Sequence, residues 1–215
     1  MKLLDNQDAD NLRKIFERLD ESVNIVIFRD SREDDVHSVQ DLMQDVSDLS
    51  SKIHLTCYDS NHDYNYAKKL GIDMYPAIAI LDKLNKDTGI RFYGAPLGQQ
   101  IHPFITSILE VSGVKDSIPR QVEKRLKRNT KRIKIDVYVD LKCTHSPVAV
   151  MAAQRLALES DLISAEMIDC HVFPKLAKIK NITGTPTVVV NNTKKYLGAQ
   201  NFSQLLSAIY NAKSL

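Results

Sequence analysis

The sequence predicts an α/β protein made of two similar units in tandem, each a mixed sheet of about four strands flanked by helices. Three observations carry that prediction. Short apolar runs of β-branched character alternate with stretches whose apolar residues recur every three or four positions, the periods of strand and helix. The order of these elements is the same before and after residue 130. Landmarks also recur at one spacing: Phe28 lies 48 residues before Pro76, and Tyr138 lies 48 residues before Pro186. At the matching offset Asp59 meets Asp169 and Ile72 meets Ile182. A period of about 110 residues is too long for a solenoid and large enough for each unit to own a core.

In the first unit, residues 8–20 place Leu12, Ile15, Phe16 and Leu19 on one helical stripe, with Asp8 or Asp10 as the expected N-cap. Val23 to Phe28 reads as a buried strand, Asp30 to Asp35 as a polar turn, and Val36 to Leu49 as a helix. Ile53 to Tyr58 alternates as a strand, and Tyr64 to Leu70 is a short helix stopped by Gly71. Met74-Tyr75-Pro76 leads into the strand Ala77 to Leu81, Ile90 to Tyr93 follows as a strand ended by Gly94, and Ile101 to Val111 closes the unit as a helix. The second unit repeats this with strand 133–139, helix 147–159, strand 164–168, a short helix near 174–180, strand 187–190, a strand around 195–197 and helix 202–212. Each half therefore holds a βαβ unit followed by an antiparallel hairpin and a final helix, which gives a mixed sheet with helices on both faces. The expected division is a first domain at 1–116, a basic linker helix at 117–132 started by Ser117 and Pro119, and a second domain at 133–215.

Hydrophobic content of 43% and charge of 26% are ordinary for a soluble globular chain. No apolar run reaches the roughly 18 residues that cross a bilayer. The opening MKLLDNQDADNLRK turns acidic at once and does not read as a signal peptide, so a cytoplasmic location is expected. Net charge is +2 but uneven: residues 1–60 hold 14 acidic and 7 basic side chains, a balance of −7, which leaves +9 for the rest. Arg120 to Lys134 carries eight basic residues against Glu123 alone. That linker lacks interleaved aromatic residues, which argues for a solvated helix over a nucleic-acid contact.

Cys57, Cys143 and Cys170 form no CxxC pair, so neither a zinc knuckle nor a local two-cysteine centre can be built from them. Cys57 and Cys170 are expected as core or strand-end packing. The six histidines show no HxxxH or HExxH spacing, and no glycine-rich loop suits a phosphate, so no metal and no cofactor are expected. The acidic residues of 30–35 read as a solvated loop or as a selector of a basic partner.

The chemistry concentrates between Val139 and Pro147. Strand 133–139 hands over to helix 147–159 through Cys143-Thr144-His145-Ser146, and Pro147 suits a first helical turn because its missing N–H has no partner to lose. A sulfur at such a turn lies near unpaired backbone N–H groups and the positive end of the helix, which favour the thiolate.

These stretches, with DLSSKIHLTCYD, KDTGIRFYGAP and the turns Met74-Tyr75-Pro76 and Gly184-Thr185-Pro186, resemble the protein disulfide oxidoreductases of archaea and some bacteria. That family joins two thioredoxin-like, also called glutaredoxin-like, domains in tandem. Its members usually carry CxxC in both halves, the second followed by proline. Here the second centre reads Cys143-Thr144-His145-Ser146, and the first, within Ser31 to Val36 (SREDDV), holds no cysteine. The resemblance implies that Pro76 and Pro186 are cis-prolines facing the active-site turns, and that Thr185 offers backbone groups on which an extended peptide pairs. His145 resembles the histidine of the CPHC turn in strongly oxidising thioredoxin-fold enzymes. Monothiol glutaredoxins bind an iron–sulfur cluster through a CGFS-like turn, from which Thr144 and His145 depart.

Two functions follow as expectations. In the first, Cys143 performs monothiol exchange or forms mixed disulfides with a protein client or a glutathione-like small thiol. Ser146 and His145 stabilise its thiolate, and Thr185, Pro186 and, in the first half, Pro76 serve as peptide platforms. Release then needs an external thiol, or Cys170 if it lies close. In the second, the chain is a redox-inactive peptide-binding or scaffold protein that kept the groove and lost the chemistry. The oligomeric state is left open.

Overall fold

The computed structural model describes residues 6–29 and 36–211. The first half runs α1 (Asn6–Phe16), β1 (Val23–Arg29), α2 (Val36–Ser47), β2 (Ile53–Asp59), α3 (Tyr64–Lys69), β3 (Ala77–Leu81), β4 (Asp87–Tyr93) and α4 (Ile101–Ser112), with a 3-10 turn at Gly98–Gln100. The helix α5 (Arg120–Lys127) links it to β5 (Ile133–Val139), α6 (Ser146–Leu158), β6 (Ile163–Asp169), α7 (Pro174–Ile179), β7 (Thr187–Val190), β8 (Lys194–Leu197) and α8 (Phe202–Asn211). Asp8 and Asp10 lie inside α1, where Asp10 holds Arg13 at 2.6 Å, so neither caps it. The acidic stretch Asp30–Asp35 falls outside the described residues.

Each half forms the expected four-stranded mixed sheet. β1 pairs parallel with β2 and antiparallel with β3, and β3 pairs antiparallel with β4. β5 repeats this with β6 and β7, and β7 pairs with β8. The two sheets are also one. β4 pairs parallel with β6, which gives the eight-stranded order β2-β1-β3-β4-β6-β5-β7-β8. This seam was not foreseen, because nothing in a strand's apolar period says which edge it will join.

Burial follows the strand period. Ile25, Ile27, Ile78, Ile80, Phe92, Ile135, Val137, Val139, Val188 and Val190 turn to the face covered by α1, α2, α4, α5, α6 and α8. Val26, Phe28, Ala77, Ala79, Tyr93, Tyr138, Ile168 and Val189 turn to the other, covered by α3 and α7. The linker helix is anchored as well as solvated: Leu126 is buried, and the Arg125 guanidinium lies 3.8 Å from the Tyr210 ring centre on α8.

Close backbone approach fixes the seam. Gly89 has φ +79°, and a Cβ there would lie 2.5 Å from the Ile163 carbonyl oxygen. Gly98 has φ +54°, and a Cβ there would lie 2.6 Å from the Leu141 carbonyl oxygen. Only glycine satisfies both the positive φ and the missing volume. A charged row also crosses the seam beneath α3 and α7: Arg91 on β4 is register partner to Glu166 on β6, which is partner to Asp136 on β5. All three are buried, and Lys134 Nζ lies 2.8 Å from Glu166 and 3.7 Å from Asp136.

Candidate functional site

β5 is buried along its whole length except Lys134, and its last residue, Val139, delivers the chain to the turn that carries Cys143. The turn is built by its own backbone. Asp140 Oδ1 accepts from the Lys142 N–H at 2.7 Å, the Asp140 carbonyl from the Cys143 N–H at 3.0 Å, and the Cys143 carbonyl from the Ser146 N–H at 3.3 Å. α6 then starts at Ser146, with Pro147 in its first turn, one residue earlier than the apolar period indicates. Cys143 is half-buried just ahead of this 13-residue helix.

Opposite lies the turn before β7. The Cys143 thiol donates to the Thr185 carbonyl at 3.3 Å, and the Thr185–Pro186 peptide bond is cis. The platform is stiff: Thr187 Oγ1 donates to the Gly184 carbonyl at 2.6 Å, and the Pro186 carbonyl accepts from the Gly198 N–H at 2.8 Å. Cys143, Ser146, Thr185 and Pro186 are thus brought together. Pro76, also after a cis bond, occupies the equivalent place in the first half, where its carbonyl accepts from the Gly94 N–H at 3.2 Å. Among the described residues no hydrogen bond joins it to the Cys143 turn.

Burial raises the Cys143 thiol pKa, yet the balance falls below the ordinary value. The Ser146 hydroxyl, the His145 backbone N–H, the Thr185 hydroxyl and the Ser146 backbone N–H, in that order, favour the thiolate and outweigh desolvation. Ser146 is fully buried, and its Oγ has no hydrogen-bond partner while the thiol points at Thr185. The two observations fit one picture: the hydroxyl rotor is idle beside a thiol and becomes a donor to a thiolate. His145 acts through its main chain. Its ring is exposed and makes no capping bond, so the expected stabiliser contributes here through its backbone N–H.

The other two thiols differ. Cys170 is half-buried, and burial first, then Asp169 and Asp140, push its pKa up to about 11. A resolving thiol acts as thiolate, and at neutral pH Cys170 offers almost none. Cys57 is exposed, not packed in a core as its strand pattern implies. The reason is topological: β2 is the outer strand of the sheet, so an alternating sequence there has only one neighbour to bury against.

One contributor was missed by sequence reasoning. The first half touches the Cys143 turn directly, because the Gln99 N–H donates to the Leu141 carbonyl at 2.9 Å and Gly98 packs on the same carbonyl. The only signal was the lone Gly98 just after KDTGIRFYGAP, whose turn has no meaning until the two sheets are joined. Among the described residues no group of histidine, cysteine and carboxylate side chains is arranged to hold a metal.

Two βαβ units, each followed by a cis-proline and an antiparallel hairpin, define the class: the chain is a tandem thioredoxin-fold protein. Residues 133–210 match the thioredoxin domain family. The structure superposes on the alkylhydroperoxide reductase AhpF of Enterococcus faecalis with a TM-score of 0.90 at 25% identity, covering 95% of this chain and 98% of that one. It superposes on a protein disulfide oxidoreductase of Aeropyrum pernix with a TM-score of 0.89 at 19% identity, covering 98% and 95%. In sequence, it is 24% identical over 166 residues to a Bacillus subtilis protein named NADH dehydrogenase, covering 77% of this chain and 30% of that protein. It is 22% identical over 198 residues to an alkyl hydroperoxide reductase of Staphylococcus aureus, covering 92% and 36%. The chain thus spans about a third of the length of the curated relatives it matches. No helix among the described residues is long and apolar enough to cross a membrane.

Proposed function

We propose that this chain is a single-cysteine thiol–disulfide exchange module, with Cys143 as nucleophile and the Thr185-Pro186 turn as the platform for a protein or small-thiol partner. The Cys143 thiolate attacks one sulfur of a partner disulfide, the partner's S–S bond breaks, and its other sulfur leaves as thiolate. The product is a mixed disulfide on Cys143. A second thiol, from a glutathione-like small molecule or a protein, then attacks that disulfide and returns Cys143 as thiolate, so no net oxidation stays on the chain. With Cys170 held protonated, release depends on the external thiol, as supplied by a reducing compartment such as the cytoplasm.

The observation that carries this reading is the buried, unpartnered Ser146 hydroxyl beside a thiol whose pKa is lowered. A hydroxyl kept inside without a partner costs stability, and a thiolate acceptor would explain its retention. The oxidoreductase and reductase names of the relatives support a redox role.

The test is turnover of a glutathionylated peptide by reduced glutathione, with the wild-type protein beside Cys143→Ala. Wild-type acceleration that Cys143→Ala lacks, together with a trapped Cys143–glutathione adduct by mass spectrometry, is the expected result. Equal rates from the two proteins would leave the groove as a binding surface without thiol chemistry, the scaffold function.

A further inference from the structure

The eight-stranded sheet has two outer edges, and they are built differently. β8 is four residues long and carries Lys194 and Lys195, the short, lysine-bearing form that discourages another strand from pairing. β2 is seven residues long, IHLTCYD, with no proline and no lysine, and its register with β1 is regular throughout. His54, Thr56 and Cys57 are exposed along it.

The ladder shows which of its backbone groups are bare. The Val23 N–H donates to the Lys52 carbonyl and the Ser60 N–H to the Arg29 carbonyl. In a parallel ladder with this register, residues 52, 54, 56, 58 and 60 turn both backbone groups to β1. Residues 53, 55, 57 and 59 therefore turn theirs outward. Some of these are satisfied locally: the Ile53 N–H donates to the Ser50 carbonyl, the Asp59 N–H to Asp63 Oδ2, and the Asp59 carbonyl accepts from the Asp63 N–H. Among the described residues nothing bonds the N–H and C=O of Leu55 and Cys57 or the Ile53 carbonyl. This is a two-residue hydrogen-bonding ladder without a partner strand.

The surroundings select what can fill it. α2 packs on β2; Asp41 and Asp45 on that helix and Asp48 just past its end are spaced four and three apart, and Asp48 Oδ1 accepts from Gln44 Nε2 at 2.8 Å. Asp48 and Gln44 line an open surface cavity of about 520 Å³ that continues along Ser50, Ser51, Ile53 and Leu55. Residues 36–60 hold four carboxylates and one lysine, and that lysine donates to the Leu19 and Asp20 carbonyls. The Arg29 guanidinium on β1 acts on Cys57, yet carboxylates still outnumber cations around this edge, which disfavours a second copy of it.

We propose that the outer edge of β2 is a docking site for an extended basic segment of a partner protein, added as a ninth strand. The segment pairs through Leu55 and Cys57 and sets lysine or arginine side chains against the α2 carboxylates. Main-chain pairing supplies the geometry and the charges supply selectivity. The site is separate from the Cys143 turn, and Cys57 serves here through its backbone.

The test uses the full chain, ¹⁵N-labelled, and a capped ten-residue peptide of alternating lysine and valine, with a glutamate-for-lysine peptide as control. Binding is expected to shift the Leu55 and Cys57 amide resonances and slow their hydrogen exchange at least tenfold, while Thr56, already bonded to β1, changes little. The glutamate peptide should bind at least tenfold more weakly. Cys57→Pro removes one outward N–H without touching the β1 ladder and should abolish the effect, while Cys57→Ser should keep it. Unchanged Leu55 and Cys57 exchange at saturating lysine peptide would overturn the proposal, as would equal binding of the two peptides. Sedimentation showing that the chain dimerises through this edge would assign it to a second copy instead.

Discussion

Replacing Ser146 with alanine removes a single oxygen from the interior, and its effects on fold and on chemistry should have opposite signs. The Ser146 Oγ is fully buried and bonds nothing while Cys143 is a thiol, so its loss leaves no new unsatisfied group. Stability should hold or rise slightly, since an unpaired buried hydroxyl costs about 1–3 kcal/mol. The thiolate, by contrast, loses the foremost of the groups that favour it. A hydrogen bond to a charged acceptor is worth about 1.5–3 kcal/mol. Cys143 is open enough to water that about half of this should survive, which corresponds to a rise of roughly 0.5–1 pKa unit.

The assay is the rate of iodoacetamide alkylation against pH, read at Cys143 by mass spectrometry in a Cys57→Ser, Cys170→Ser background. The wild-type profile should turn over below the ordinary thiol value, and Ser146→Ala should move it up while the high-pH plateau stays within about twofold. At pH values below both midpoints the variant should then react roughly three- to tenfold more slowly, the rate equivalent of that shift. A midpoint that does not move, in a protein of unchanged melting temperature, would refute the donor role of Ser146. The case for an activated Cys143 would then rest on the backbone N–H groups and Thr185 alone.

Three further outcomes follow from the same geometry. Glu166 is pushed up to about 7, chiefly by burial, with Asp136 adding and Lys134 opposing. A carboxyl whose folded pKa is raised stabilises the fold below its unfolded value and loses that contribution as pH rises through about 7. Glu166→Gln should therefore be near neutral at pH 5 and raise stability by on the order of 2 kcal/mol at pH 8, measured by urea unfolding. A gain equal at both pH values would show that Glu166 does not titrate in the folded chain. Gly89→Ala meets both a positive φ and the Ile163 carbonyl, and should cost about 2–4 kcal/mol in the same assay; a loss below about 1 kcal/mol would mean that the seam yields. Cys170→Ser should leave glutathione-driven release of a Cys143 adduct within about twofold, because a thiol held near 11 is almost wholly protonated at pH 7; slower release would make Cys170 the resolving group.

Element types and order were legible because both periods are strong here. Ile133, Ile135, Val137 and Val139 can serve only a strand, and Pro147 can sit only at the start of the helix that follows. The paired 48-residue spacings marked Pro76 and Pro186 as equivalents in the two halves. The gaps share one cause. The pairing of β4 with β6, the contact of Gly98 and Gln99 with Leu141 and the exposure of Cys57 all depend on which strand edges meet. An alternating strand carries the same pattern whether it has one neighbour or two. His145 was legible as a neighbour that favours the thiolate, whereas the part that does so, its backbone N–H at the helix start with the ring left in solvent, shows only in the fold.

Joining the sheets alters what the missing first cysteines mean. Were the halves separate, a first unit with no cysteine between its first strand and second helix would be an idle remnant beside the one that carries Cys143. With β4 and β6 hydrogen-bonded and Gly98 pressed on the Leu141 carbonyl, the first unit instead braces the chain two residues before Cys143. A thiol at the first turn is dispensable to that task, whereas the glycine is not: any side chain at residue 98 displaces either its own strained backbone or the segment that holds the nucleophile. Gly98→Ala should consequently slow Cys143 alkylation or shift its pH profile even where the chain still folds. The absence of cysteine from residues 31–36, by contrast, leaves the second turn's geometry whole.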